Sequence, residues 1–432
     1  MRPAESNSKM VRQICDFLTE DFHPHYNQRF SYQPDNPLWE RLGTLGAELW
    51  LDSGNIEAIE KVWTQQFTSL TTNNTLLNKE VQTGVYDSVI TRAAEMLEQA
   101  ADLSEEQRTL EMAFILNAWH ALRLVEKFDA YVSVEEHTSL ANDINAAVEY
   151  ARRFHAICPE RFTVKIPFTP AGLLSTRKAA AEGIRINHTL GFSARQNYVI
   201  ARISRPAFVN VFLGRLNSFI ADNNLGSGEY IGEKTTLASQ RAIAQLRLEH
   251  HTPSRQIGAS FRDGGQVCDL AGLDVMTIPP KVAREFLDMG LSIEHVEDRA
   301  SYDYTPGIDP ELDPESIRLR TLWEIDEELV NCVDKLEQEN LDAFTPDDLV
   351  NFFADHGCED FLVSWSDSQI HTSAEEGKIP KLENWKDALE EKQIGLDSLM
   401  NLAGLNSFAT DQQAMDNRVK EVLQKHHVTS AH

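Results

Sequence analysis

The sequence has little of three features that mark specialised classes of protein. Its five cysteines are scattered among 432 residues with no CxxC spacing (Cys15, Cys158, Cys268, Cys332 and Cys358). Such a set argues against a disulfide framework or a structural zinc site and predicts a reducing, cytoplasmic location. No apolar stretch approaches the length of a membrane span, and the N-terminus lacks the apolar segment of a signal peptide. We therefore expect neither a secreted disulfide-rich protein nor a membrane-spanning one.

Positive charge is also scarce. The chain has 40 Lys+Arg against 67 Asp+Glu, a formal net charge of -27. Nucleic acids and anionic membranes require clustered basic residues, so neither is an expected partner. The acidic surplus is concentrated in residues 291–432, which contain 11 Lys+Arg against 32 Asp+Glu. A solvated helical face explains this surplus more simply than a cation site.

The central part of the chain alternates short β-branched or aromatic runs with helical segments. This pattern is typical of a parallel sheet with crossover helices. The predicted strands are Glu48–Asp52, Phe67–Thr72, Ala130–Glu135, Phe162–Ile166, Ile184–Leu190, Ala207–Leu213, Ile257–Phe261 and Leu273–Ile278. Eight strands are the number that closes a (β/α)8 TIM barrel of the α/β class.

Helical segments flank the predicted barrel at both ends. We expect an N-terminal helical extension over residues 1–45, the barrel over 46–300, and an acidic, mainly helical C-terminal region over 301–432 that packs on the barrel. The predicted barrel helices are Ile56–Trp63, Val81–Leu97, Glu106–Lys127, Thr138–Phe154, Ala171–Ala181, Ser193–Ile203 and Lys234–His250. The span between the second and third strands predicts one extra helix.

Lys165 is the most informative single residue. It lies inside the apolar run Phe162–Pro167, where a charged side chain has no packing role. Burial disfavours the ammonium form and makes the amine a nucleophile that can form a Schiff base with a carbonyl. The alternative is a lysine at a strand end whose head group reaches water. The segment alone leaves both interpretations open.

Other polar residues follow the predicted strands at their carboxyl ends. Asp52, Asn73 and Glu135 come at the ends of the first three strands, and Asn187 and Thr189 lie on the fifth. These ends converge on one face of a barrel, where active sites lie. Singly, such residues are more often turn residues or helix caps. Together they supply the carboxylates and neutral donors that Schiff-base aldol chemistry requires.

The late strands carry a different set of side chains. Arg215 follows the sixth strand, and Ser260 and Arg262 precede the glycine-rich turn Gly264-Gly265. Guanidinium groups and free backbone N–H groups favour a phosphate dianion, so the pattern predicts a phosphate site. Either arginine alone is more often a surface salt-bridge partner.

Several of these segments resemble the transaldolase family, which uses a (β/α)8 barrel and a Schiff-base lysine. The similarity covers roughly residues 47–280 and one helix near the C-terminus. The segments that carry it are Thr71–Asn73, Val164–Pro167 with Thr169 and Gly172, Gly183–Ser193, Phe212–Arg215, Ala259–Arg262 and Phe408–Gln412.

The resemblance implies a mechanism with no cofactor, and the residues themselves predict no metal site. Lys165 would attack the C2 carbonyl of a ketose phosphate, and Asp52 would take the proton of the C4 hydroxyl as the C3–C4 bond breaks. Glu135 and Thr189 would hold the water that relays protons. The pair His250-His251 has no metal-ligand spacing with carboxylates.

The resemblance also implies the substrate contacts. Asn73 and Asn187 would bind hydroxyls of the three-carbon enamine, and Arg215, Ser260 and Arg262 would hold the phosphate. The implied partners are sugar phosphates. The oligomeric state, monomer or homo-oligomer, is left open.

Five positions bear on which reaction is catalysed. Family members that act as free fructose-6-phosphate aldolases have glutamine at the position of Glu135 and tyrosine at that of Phe212, so both residues here are of the transferase type. Asn210 stands where the family usually has a serine near the substrate. Asn74-Thr75 replaces the usual Pro-Ser. Asn210 predicts an altered substrate preference.

Three functions remain in competition at this point. The first is a transaldolase that transfers a dihydroxyacetone unit between sugar phosphates of the pentose phosphate pathway. The second is a fructose-6-phosphate-aldolase-like enzyme or a transaldolase for a modified sugar. The third is an inactive barrel that serves as a binding or scaffold protein. The joint presence of Lys165, Asp52, Glu135 and Thr189 argues against the third.

Overall fold

The chain folds around a closed barrel of eight parallel strands. The computed structural model describes residues 9–28, 30–100 and 103–430, so the first eight residues of the predicted N-terminal extension lie outside it. The strands are β1 (Glu48–Asp52), β2 (Phe67–Thr71), β3 (Tyr131–Glu135), β4 (Phe162–Pro167), β5 (Ile186–Thr189), β6 (Phe208–Phe212), β7 (Arg255–Ala259) and β8 (Val275–Ile278). They pair in sequence order and β8 pairs with β1. The predicted (β/α)8 fold is confirmed.

Helices surround the barrel and extend it at both ends. They are α1 (Lys9–Thr19), α2 (Pro37–Thr44), α3 (Ile56–Glu60), α4 (Asn74–Gln82), α5 (Asp87–Ala100), α6 (Glu105–Phe128), α7 (Ile144–Ile157), α8 (Pro170–Ala181), α9 (Ala194–Ile203), α10 (Leu213–Asp222), α11 (Ile231–Glu249), α12 (Gly265–Asp269), α13 (Pro280–Asp288), α14 (Glu327–Leu336), α15 (Pro346–Asp355), α16 (Asp367–Glu376), α17 (Lys386–Glu390) and α18 (Leu396–Ser430). Within the described part of the chain, no helix is long and apolar enough to cross a membrane.

The interior of the barrel is apolar towards the amino ends of the strands and polar at its mouth, which is formed by their carboxyl ends. Trp50 and Asp52 are two residues apart on β1, so they share a face of the strand. Trp50 packs against Phe208 with ring centroids 4.8 Å apart, in a buried cluster with Ile257 and Val275. Asp52 therefore lies one layer above this apolar floor, at the carboxyl end of the strand. The polar groups at that level therefore surround a site whose floor is apolar.

Some predicted boundaries were wrong. The predicted helix Val81–Leu97 is in fact the end of α4 and most of α5, separated by turn residues at 83–86. The predicted helix Thr138–Phe154 begins with a short 3-10 turn and becomes regular only at Ile144. Leu213, predicted to end the sixth strand, is the first residue of α10. The extra helix expected between β2 and β3 is confirmed, since α4, α5 and α6 all lie there.

A buried ionic cluster fixes α18 against the barrel. Asp397, in the first turn of α18, is completely buried and accepts hydrogen bonds from Ser193 Oγ at 2.6 Å and from Arg195 Nε at 2.8 Å. Arg195 also pairs with Asp360, which lies between α15 and α16. A buried charge that lost its partner would strongly destabilise the fold, so this cluster couples the C-terminal region to the β5–α9 loop. The division into residues 1–45, 46–300 and 301–432 stays a prediction.

Candidate active site

The amine of Lys165 lies inside the barrel mouth. Lys165 is 4% exposed, and its Nζ donates a hydrogen bond to the carbonyl oxygen of Thr72 at 3.0 Å. The same Nζ lies 3.6 Å from Oε1 of Glu135. Strand register places Glu135 opposite Lys165 and Lys165 opposite Asn187 on three adjacent strands. The prediction that the Lys165 side chain is buried is confirmed. The alternative, in which its head group reaches water, is wrong.

Glu135 is held by a backbone donor. Its Oε2 accepts a hydrogen bond at 2.8 Å from the peptide N–H of Asn74, the first residue of α4. Its other oxygen is the one that faces Lys165. The side chain is 6% exposed. The carboxylate thus has one oxygen fixed by the helix start and one directed at the amine.

Asp52 completes the group of charged side chains beside Lys165. Its Oδ1 accepts a hydrogen bond from Thr71 Oγ1 at 2.9 Å, and Thr71 shares a 2.6 Å hydrogen bond with Thr277. Burial raises the pKa of Asp52 above its ordinary value, while the charge of Lys165 opposes that rise. A carboxylate whose pKa is raised is better matched to proton transfer near neutral pH.

Amide side chains line the β5–β6 wall. Asn210 Nδ2 donates to Asn187 Oδ1 at 2.9 Å and to the carbonyl oxygen of His188 at 3.0 Å. Asn187 Nδ2 lies 3.4 Å from Ser133 Oγ. Within the described residues, the buried atoms Thr189 Oγ1 and Asn210 Oδ1 have no hydrogen-bond partner. Unpartnered buried polar atoms at a barrel mouth are typical of groups that bind a substrate or an ordered water.

Arg215 is a buried cation that directly follows β6. It lies in the first turn of α10, is 7% exposed, and its Nη1 has no hydrogen-bond partner in the described part of the chain. Burial and the charge of Arg262 lower the pKa of Arg215 to about 10, while the charges of Asp411 and Glu135 oppose this. An anion bound here would offset the cost of two neighbouring cations.

The loop after β7 brings Ser260 and Arg262 to the same side. Ser260 has a φ of 68°, an uncommon left-handed conformation for a residue other than glycine and one that is enriched at functional sites. The N–H of Arg262 donates to Oε1 of Gln266 in α12 at 2.6 Å. A Cβ on Gly214 would lie 2.2 Å from the carbonyl oxygen of Ser260, so only glycine allows this loop to approach the start of α10. Arg262 itself is exposed.

Two further predicted binding residues occupy the rim. Asn73 is the N-cap of α4, and its Oδ1 accepts a hydrogen bond from the N–H of Leu76 at 2.8 Å. Phe212 ends β6 and packs between Phe192 and Phe408, with ring centroids at 5.7 and 6.5 Å. All eleven predicted site residues therefore lie at the carboxyl end of the barrel, on or directly after seven of its strands.

The last helix crosses the mouth. Thr75 Oγ1 donates to Asp411 Oδ2, and Asn401 Nδ2 donates to the carbonyl oxygen of Leu190 at 2.9 Å. The guanidinium carbon of Arg215 lies 5.4 Å from the ring centroid of Phe408. These contacts place α18 over both the start of α4 and the β5–α9 loop. It therefore walls one side of the site.

Sequence reasoning missed two residues at the site. The role of the Asn74 N–H was not anticipated, although the position stood out as a departure from the family pattern. Glu136 is 4% exposed, and burial, with the charge of Glu135 second, raises its pKa well above the ordinary value. The only signal for Glu136 was a second acidic residue at a strand end. Its burial depends on contacts that are distant in sequence.

The comparisons with known proteins agree with the fold and with this arrangement of groups. A family model described as transaldolase/fructose-6-phosphate aldolase matches residues 49–368, most of the chain. The chain therefore belongs to this family. The match continues well beyond residue 280, where the recognisable barrel motifs end.

Individual relatives are named transaldolases, at low identity. A transaldolase of Pseudoalteromonas atlantica is 27% identical over 294 residues, which cover 66% of this chain and 89% of that protein. A probable transaldolase of Dictyostelium discoideum is 26% identical over 251 residues, covering 56% and 76%. A transaldolase of Thermosynechococcus vestitus is 29% identical over 246 residues, covering 54% and 61%.

Proposed function

We propose that the protein is a transaldolase, a transferase that moves a dihydroxyacetone unit from a ketose phosphate to an aldose phosphate through a Schiff base on Lys165. The donor would be fructose 6-phosphate or sedoheptulose 7-phosphate. The observation that carries the proposal is the placement of a buried amine 3.6 Å from Glu135 Oε1 and in register with Asn187. A buried lysine beside a carboxylate that can accept its proton is able to attack a carbonyl.

The reaction begins with attack of the Lys165 nitrogen on C2 of the ketose. The resulting carbinolamine loses its hydroxyl as water and becomes an iminium ion. A water held between Glu135 and Thr189 relays the protons, and the unpartnered Oγ1 of Thr189 is a suitable donor to that water. Since the Asn74 N–H already fixes Glu135 Oε2, the carboxylate needs little reorganisation during the step.

Cleavage follows when Asp52 takes the proton of the C4 hydroxyl. The electrons of the C3–C4 bond move into the iminium ion and form an enamine, and the aldose phosphate leaves. An acceptor aldehyde then reacts with C3 of the enamine, Asp52 returns the proton, and hydrolysis releases the new ketose and Lys165. The raised pKa of Asp52 suits a group that must both take and return a proton.

The remaining residues bind the sugar phosphate. Arg215, Ser260 and Arg262 hold the phosphate, because Arg215 is buried with a free Nη1 beside a second cation. Asn73, Asn187 and Asn210 bind hydroxyls of the three-carbon unit. They lie on three strands or loops around the Lys165 amine, so they can bind several hydroxyls of the substrate at the same time.

We place this reaction in the pentose phosphate pathway and in the cytoplasm. The five cysteines are free thiols in the structure, which is the state that a reducing compartment maintains.

A two-substrate assay tests the function. With fructose 6-phosphate and erythrose 4-phosphate, we expect sedoheptulose 7-phosphate and glyceraldehyde 3-phosphate to form in equal amounts, with no free dihydroxyacetone. Glu135 and Phe212, both of the transferase type, underlie this expectation. Dihydroxyacetone released from fructose 6-phosphate alone would favour the aldolase. No turnover of any ketose phosphate by folded protein would favour an inactive barrel.

A further inference from the structure

A cavity of about 550 Å³ adjoins the active site on the β3–β5 side. Its barrel wall includes Glu135, Phe168 and Leu190, and its outer wall comes from α15, from the segment before α16 and from α18. Lys165 and Asp52 do not line it. The cavity is thus a separate space that meets the proposed reaction centre at Glu135.

The chemistry of the lining differs from that of the sugar-phosphate site. Among the described lining residues there is no lysine or arginine, while Glu135, Glu136 and Asp347 are acidic. Most of the rest are apolar, with Leu362 and Leu402 among the buried ones. A phosphate or a carboxylate would be repelled here, whereas a neutral apolar group would bury surface favourably.

One polar group in this wall is unpartnered. Glu136 is 4% exposed, and its Oε1 has no hydrogen-bond partner among the residues that the structure describes. Its raised pKa favours the neutral carboxyl, which can donate a hydrogen bond. An ether or carbonyl oxygen on an otherwise apolar ligand would satisfy that donor.

Phe408 connects the cavity to the phosphate side of the mouth. It lines the cavity, and its ring also lies 5.4 Å from the guanidinium carbon of Arg215. A ligand in the cavity would therefore contact Glu135 directly and would be one side chain, that of Phe408, away from Arg215. Such a position suits part of a reacting molecule better than it suits a remote effector.

We propose that this cavity is a second acceptor subsite, which admits an aldehyde carrying a neutral, apolar group in place of a phosphate. The proposal rests on the transaldol reaction proposed above. The enamine on Lys165 would be transferred to the aldehyde carbon, and the apolar group would occupy the space between Phe168, Leu362 and Phe408.

The test compares two acceptors with fructose 6-phosphate as donor: 3-phenylpropanal and erythrose 4-phosphate. The variant Ala409→Trp fills the cavity from α18, since Ala409 lines it and is exposed. We expect kcat/KM for 3-phenylpropanal to fall roughly 10- to 100-fold, as for the loss of one buried aromatic group, and that for erythrose 4-phosphate to stay within about twofold. Thr410→Trp, one residue further along α18 and outside the lining, is the matched control.

A second variant and a binding assay distinguish failure of the subsite from failure of the proposed transaldol reaction. Ala141→Trp fills the cavity from the barrel side and should discriminate in the same way. In the absence of any donor, 3-phenylpropan-1-ol should bind the wild type in calorimetry with a Kd of about 1 mM or tighter, and bind Ala409→Trp more weakly. No binding to the wild type, or equal losses for both acceptors, would overturn the subsite. Binding of the alcohol without transfer from any ketose phosphate would instead contradict the proposed function.

Discussion

The two halves of the barrel mouth are built differently. On the β3–β5 half, Lys165 and Glu135 each already have a hydrogen-bond partner in the protein, the Thr72 carbonyl oxygen and the Asn74 N–H. On the β6–β7 half, Arg215 has an unpartnered Nη1 and Arg262 is exposed. Lys165 and Glu135 in the first half are therefore held before a substrate arrives. The second half has hydrogen-bond donors without a protein partner, and a bound anion could accept from them.

This difference matches what each half is proposed to do. Groups that change protonation or form bonds gain from preorganisation, because reorientation in the transition state costs rate. Groups that bind a phosphate equally in the ground and transition states need only be available. Substitutions in the first half should therefore lower kcat, and substitutions in the second half should raise KM.

The largest effect is expected from Lys165→Met. Without the amine no Schiff base forms, so transfer from fructose 6-phosphate should fall by about 10⁴-fold or more. The rate of glyceraldehyde 3-phosphate release with erythrose 4-phosphate present measures it. Lys178→Met on α8 is the control and should retain full activity. Residual turnover within about tenfold of wild type would exclude Lys165 as the nucleophile.

Asp52→Asn should come next, with a fall in kcat of about 10²- to 10⁴-fold. The wild-type kcat should also decline as the pH falls, because protonated Asp52 cannot take the C4 hydroxyl proton. Since the pKa of Asp52 is raised, this decline should begin at a higher pH than for an ordinary aspartate. The pH profile of kcat measures both points. An unchanged acid limb in Asp52→Asn would assign that limb to another group.

Arg215→Gln tests the second half. Loss of a charge-assisted hydrogen bond to phosphate costs about 1.5–3 kcal/mol, so KM for fructose 6-phosphate should rise roughly 10- to 100-fold while kcat changes only a few-fold. Unphosphorylated fructose as donor is the internal control, and the variant should treat it as the wild type does. A loss confined to kcat would break the distinction between the halves.

Asn74→Pro removes the backbone donor that holds Glu135. Proline is tolerated at the first position of a helix, which is where Asn74 lies. The change also removes the side-chain amide that donates to the Glu136 carbonyl oxygen at 3.1 Å, and Asn74→Ser loses that amide as well. We expect kcat to fall by about tenfold. Asn74→Ser keeps the N–H and is the matched control. Equal kcat values for the two variants would show that this donor does not position Glu135.

The smallest effect is expected from Asn210→Ser. Asn210 holds the Asn187 amide and presents an unpartnered Oδ1, so the shorter serine should alter the ratio of kcat/KM between fructose 6-phosphate and sedoheptulose 7-phosphate by a few-fold. Steady-state kinetics on both donors measures the ratio. An unchanged ratio would remove the basis for an altered substrate preference.

The sequence predicted the barrel well because periodic local patterns determine it. Eight short apolar runs alternate with helices, and the strands follow those runs to within a few residues. Helix starts were harder to predict. Leu213 continues the apolar pattern of β6, yet α10 begins there because Gly214 lets the chain turn tightly against the Ser260 loop.

The site was predictable only in part, for a related reason. Lys165, Asp52 and Glu135 stand out because charged residues on core-type strands are costly. The Asn74 N–H and the contact of Asp411 with Thr75 leave no such local signal, since each depends on residues far apart in sequence. Glu136 is a second acidic residue at a strand end, but its burial also depends on distant residues. The hydrogen bonds that hold Lys165 and Glu135 in place therefore arise only in the folded chain.

Trapping of the intermediate tests the central claim most directly. The protein would be incubated with fructose 6-phosphate, reduced with borohydride, digested and mapped by peptide mass spectrometry. A three-carbon adduct on the peptide that contains Lys165, absent from Lys165→Met, is the predicted result. An adduct on another lysine, or none on folded protein with any ketose phosphate, would contradict the claim that this amine carries the reaction.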